Sequence, residues 1–225
     1  MRNLLLAGVL LFATSASSEA APCLPDTLAN YKTLGSGGCT LGNVTFANFD
    51  SFLLDPLAVE INAATVVVTP FGRGFSFAFD IAPSTTFYDV TIYYTATVKG
   101  LLGGNQLSMT GSSATGDGIV TAVENKCVGG FFLPLLPDPS ACDSGEAVTL
   151  IAIQDEVVNS LPFTPSSFFD VFAEIAIDPG VAGTAGLQGS VSTTFSTHGV
   201  PEPMTILLVS TGLAAVQFRR RRGEN

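Results

Sequence analysis

From Asn43 onward, apolar and polar residues alternate with a period of two, as they do in half-buried β-strands. Phe75, Phe77, Phe79 and Ile81 share one face, with Ser76, Ala78 and Asp80 on the other. Val90, Ile92, Tyr94, Ala96 and Val98 alternate with Asp89, Thr91, Tyr93, Thr95, Thr97 and Lys99. Val171, Ala173, Ile175 and Ile177 repeat the pattern. Ala147 to Ile153 is apolar almost throughout, which predicts a central strand covered on both faces. Turn chemistry separates the runs at Pro70, Pro83-Ser84, Gly103-Gly104-Asn105, Thr115-Gly116-Asp117-Gly118, Pro137-Asp138-Pro139 and Pro179-Gly180. Asp178 to Gly189, rich in Gly and Ala, reads as a loop before a last strand over Ser190 to Thr197. Asp26 to Tyr31 is a candidate short helix; no longer amphipathic helix and no internal repeat stands out. Roughly eight to ten strands at this spacing predict an all-β fold, an antiparallel two-sheet β-sandwich of which a jelly roll is one version.

The two ends break the pattern. Met1-Arg2-Asn3 followed by Leu4 to Ala13 has the basic start and apolar core of a secretory signal peptide. Ser18-Glu19-Ala20 puts small residues at the cleavage positions, so the mature chain is expected to begin at Ala21. At the other end, Met204 to Phe218 is 15 residues without a charge. As a helix it is ~22 Å long against a hydrocarbon core of ~30 Å, a marginal transmembrane span. Arg219, Arg220, Arg221 and Arg222 follow it, are costly to translocate and serve as a cytoplasmic stop. That orientation leaves Pro201-Glu202-Pro203 at the outer membrane face, stiff and extended because neither proline can continue a helix. The expected division is residues 1–20 as signal peptide, 21–198 as the sandwich, and 199–225 as tail.

Between residues 21 and 200 there are 16 acidic residues against four basic ones, Lys32, Arg73, Lys99 and Lys126. That balance argues against nucleic acid and anionic surfaces as partners. The four cysteines, Cys23, Cys39, Cys127 and Cys142, allow three connectivities. Two local loops, Cys23–Cys39 and Cys127–Cys142, are the simplest, each constraining the unfolded chain by roughly 3 kcal/mol in the entropic description. Zinc competes poorly, since no Cys-x-x-Cys occurs and His198 is the only histidine.

Val200-Pro201-Glu202-Pro203, the short apolar span and the arginine cluster together resemble the PEP-CTERM sorting signal of Gram-negative bacteria. The resemblance implies that a membrane-embedded exosortase recognises Pro201, Glu202 and Pro203 and removes the tail, with Arg219 to Arg222 as the cytoplasmic stop. It also implies an exported, non-enzymatic envelope or matrix protein that accompanies exopolysaccharide and biofilm. The stretch from Cys23 through Leu28, Tyr31, Gly37-Gly38-Cys39, Leu41-Gly42 and Phe46, Phe49 and Phe52 looks like the opening of many such substrate proteins.

Candidate chemistry inside the domain is sparse. His198 sits beside the sorting motif and no Gly-x-Ser-x-Gly elbow occurs, so a Ser-His-Asp arrangement would have to be built on this one histidine. A secreted hydrolase would need a carboxyl pair, for which Glu60, Glu124, Glu146, Glu156 and Glu174 are available. Asp138, Asp143 and Glu146 cluster around the second cysteine loop and are candidate calcium ligands, although the spacing is not that of an EF-hand. A carbohydrate-binding module, the alternative to the sorting-linked role, would stack a sugar on an exposed aromatic. Tyr93 on the polar face is the candidate, joined by Tyr88, while Phe131-Phe132 and Phe168-Phe169 lie near proline-rich loops and read better as loop-cap packing. No cofactor is expected.

Overall fold

The computed structural model describes residues 20–132, 142–159 and 162–196. The signal segment, the sorting tail with its apolar span, His198 and Pro137-Asp138-Pro139 lie outside the described residues. The chain forms β1 (Ala21–Pro22), β2 (Asp26–Thr27), α1 (Leu28–Lys32), β3 (Cys39–Leu41), β4 (Val44–Phe52), β5 (Val59–Glu60), β6 (Val67–Phe71) and β7 (Gly74–Ser84). It continues with β8 (Tyr88–Leu102), β9 (Gly104–Thr115), β10 (Ile119–Val128), β11 (Glu146–Ile153), β12 (Val157–Asn159), β13 (Ser166–Asp178) and β14 (Thr184–Ser196). Two sheets pack face to face. One runs β1-β3-β4-β8-β13-β10-β11, with β5 beside β8; the other runs β12-β9-β14-β7-β6-β2. Pairing is antiparallel except for the short contacts β1–β3 and β5–β8. The described domain is thus the predicted β-sandwich, and its cysteines pair Cys23–Cys39 and Cys127–Cys142.

The period-two faces point where the alternation sends them. Phe75 and Phe77 on β7, Val90 to Val98 on β8, and Val171 to Ile177 on β13 meet in one buried core. Aromatic rings dominate its centre: Phe46 lies 4.6 Å from Phe75 and 6.0 Å from Tyr94, edge-on in both cases. Phe46 and Phe49 both reach this core although they are three apart in sequence. A register shift between Ala47 and Asp50 makes this work, with Asn48 bulged out at φ 57°. Asparagine tolerates that conformation, and its amide bonds Thr95 Oγ1 at 3.1 Å. The short helix begins two residues later than expected, because the Thr27 hydroxyl caps it by accepting from the Asn30 N–H.

Two expectations need correction. β11 is an edge strand bonded only to β10, not a central one. Leu150 and Ala152 face the core, while Ile151 stands 51 % exposed on the outer side. The stretch read as a loop to Gly189 is strand from Thr184, and only Pro179 to Gly183 connects β13 to β14. Glycine hides the strand without breaking it. A Cβ on Gly189 would sit 2.0 Å from the Thr110 carbonyl oxygen, so close backbone approach at a bulge requires a glycine there.

The β9–β10 turn is tied to the β13–β14 turn by Asp117. Its carboxylate accepts the Val181 and Ala182 N–H groups, each at 2.8 Å. Those bonds, that of Ala182 first, hold its pKa below the ordinary carboxylate value of 3.8. A depressed carboxyl contributes stability above the unfolded-state pKa and loses it as pH falls through the folded one. Asp117→Ala is therefore expected to melt at a lower temperature than the native protein at neutral pH. The gap should close on acidification below the ordinary carboxylate range, as followed by circular dichroism.

Candidate functional site

The densest chemistry lies inside the sandwich. On β10, Val120, Ala122, Glu124, Lys126 and Val128 alternate inward, so a strand face that begins and ends apolar carries two opposite charges in between. Glu124 and Lys126 are both 0 % exposed. Burying either alone would be prohibitive, and each needs a partner. Lys126 Nζ stands 2.5 Å from Glu124 Oε2. The same oxygen accepts the Asn105 amide at 3.1 Å, and Glu124 Oε1 accepts a hydrogen bond from the Thr193 hydroxyl. Asn105 comes from β9 and Thr193 from β14, both in the opposite sheet, so the carboxylate bridges the two layers.

Aromatic rings wall the cluster. Lys126 Nζ lies 4.9 Å from the centre of the Phe195 ring, which packs 5.0 Å from Phe169. Burial pulls the Lys126 pKa down from its usual 10.5 against the attraction of Glu124. Burial also pushes the Tyr94 phenol well above its ordinary value, with the Glu124 charge adding to the effect. A lysine amine, a carboxamide and a carboxylate thus share one buried space.

Compared with family models, curated proteins and solved structures, the chain matches none.

The residues singled out from the sequence lie elsewhere. Tyr93 is half-buried on the outer face of the eight-stranded sheet, and burial raises its phenol pKa, with the charge of Asp170 adding to the effect. Asp170 is buried, accepts the Phe132 N–H at 2.9 Å, and has its pKa raised by that burial. Asp143 accepts the Phe131 N–H and the Ser144 hydroxyl, which hold its pKa low; Glu146 accepts the Thr164 N–H. Asp138 lies outside the described residues. Among the described residues, no group of three or more His, Cys, Asp or Glu could hold a metal ion.

Of the carboxyls offered for a hydrolase, Glu60, Glu146 and Glu156 are exposed and Glu124 is in the core. Glu174 lies on the outer face near Asp89, which sequence reasoning did not single out. Asp89 is buried beneath the segment after β4 and accepts the Leu54 and Asp55 N–H groups at 3.1 and 3.2 Å. Burial raises both pKa values, and for Glu174 the charges of Asp89 and Asp55 add to it.

The described residues also form an open groove at one end of the sandwich, lined by Asn43, Phe71, Arg73 and Thr194 among others. Tyr93 is not part of it. The Glu124–Lys126 site was missed because charged residues on a strand ordinarily face water. The available signal was the continuation of the Val120–Ala122 face through Glu124 and Lys126 to Val128.

Proposed function

We propose that the protein is an exported, non-enzymatic component of the cell envelope or extracellular matrix, processed by an exosortase at its C-terminal tail. The observation that carries this reading is the order of parts in the tail. A Val-Pro-Glu-Pro motif precedes a marginal apolar span, and a four-arginine stop follows it. The two disulfides are compatible with an extracellular or periplasmic protein and support the export half of the reading. Association with exopolysaccharide follows from the resemblance of the tail.

Glu202→Ala tests the sorting step. The span and the arginines stay intact, so the variant is expected to be exported but to remain full length and membrane-bound. Deleting Arg219 to Arg222 should fail differently, because a span this short has little insertion energy of its own and the chain should escape retention. Fractionation and immunoblotting separate the two outcomes. A plain membrane anchor predicts that Glu202→Ala changes neither size nor fraction, and that result would remove the proposal.

A further inference from the structure

We propose that Lys126 and Asn105 join through an intramolecular amide bond, formed without any other enzyme and with Glu124 as the proton shuttle. The three parts of that reaction are already assembled. Lys126 supplies the nucleophile, Asn105 the electrophilic carboxamide, and Glu124 touches both through a single oxygen, Oε2. The amine therefore sits within two hydrogen-bond lengths of the carboxamide. The reaction needs Nζ to close to the ~3–3.5 Å of a reactive approach to Cγ.

The surroundings favour the chemistry. A buried, aromatic pocket penalises the ammonium–carboxylate pair relative to the neutral amine and carboxylic acid, which favours handing a proton from Nζ to Glu124. Desolvation is also what makes a lysine amine nucleophilic. The hydroxyl of Thr193 holds Glu124 through its other oxygen, Oε1, and fixes the shuttle in place.

The step balances within the cluster. The Nζ lone pair attacks Asn105 Cγ and a C–N bond forms. Glu124 takes one proton from the attacking nitrogen and gives one to Nδ2. The Cγ–Nδ2 bond then breaks and ammonia leaves. Glu124 keeps the proton that Lys126 first gave up, nothing is oxidised or reduced, and no co-reactant is needed.

The placement gives the bond a mechanical meaning. Asn105 lies one residue inside the start of β9 and Lys126 two residues inside the end of β10, both toward the strand ends away from the Gly116–Gly118 turn, and the two strands belong to opposite sheets. The bond would clamp the layers together where they are farthest from their covalent corner. Asn105 also pairs directly with Phe195 of β14, beside the point where the chain leaves the sandwich toward the tail.

Intact mass and peptide mapping of the folded, reduced full chain test this. The native protein is expected to be one ammonia lighter than the sequence between its observed termini requires. Trypsin should fail to cut after Lys126. A glutamate-specific protease, cutting after Glu124, should leave the Asn105 and Lys126 peptides joined. Lys126→Arg and Glu124→Gln should each show full mass and no joined peptide. Full mass in the native protein with cleavage after Lys126 would overturn the proposal. So would loss of water instead of ammonia, which would place the amide on Glu124. A cross-link that survives in Glu124→Gln would remove the shuttle role. The map of the native protein decides the main question even if a variant fails to fold.

Discussion

Glu124→Ala is expected to cost about 3–5 kcal/mol of folding stability, read as a lower urea midpoint with an unchanged slope. The size follows from what the substitution strands. Asn105, Thr193 and Lys126 all converge on this one carboxylate, and all three are buried. An unpaired buried amine is worse than a lost hydrogen bond, because removing one ion leaves the whole desolvation cost of the other. Replacing both charges by apolar residues of similar volume, as in Glu124→Leu with Lys126→Met, is therefore expected to be more stable than the single variant. If the double variant were the less stable, the loss would come from cavity and shape and not from stranded charge.

Phe46→Ala is the second large loss, about 3–5 kcal/mol in the same unfolding experiment. Phe46 is fully buried and touches rings from three other strands: Phe75 on β7, Tyr94 on β8 and Phe195 on β14. The cavity cannot close easily. Two of its walls are strands of the opposite sheet, and Tyr94 is held in the same ring cluster by Phe49, Phe75 and Phe77. Phe46→Leu, which keeps most of the volume, should cost markedly less.

These two residues also show how far the sequence could be read. Phe46 was legible as apolar but not as paired with Phe49, since both point inward only because Asn48 bulges out of β4. The inward faces of β7, β8 and β13 follow alternation alone and were read correctly, as were the cysteine pairs. β11 was read as central because a run of apolar residues records hydrophobicity, not the number of neighbours. Its outward Ile151 and Ile153 stay exposed at the sheet edge. The start of β14 was hidden by glycines that serve close packing of backbone against backbone. The buried pairing of Glu124 with Lys126 was the largest omission. Alternation places them inside, but the cost of burying charge argues for the surface, and only their mutual pairing across two residues of one strand resolves the conflict. Tyr93, by contrast, lies half-buried on the outer face, as alternation predicted.

The sorting proposal rests on residues of the tail, and the most direct test is the C-terminus of the native protein. Intact mass spectrometry of protein recovered from a host that carries the sorting system reads both ends at once. The account predicts a chain that begins at Ala21 and has lost the arginines and the apolar span downstream of Pro203. A mature chain still ending at Asn225 would contradict it and leave a tail-anchored envelope protein in its place.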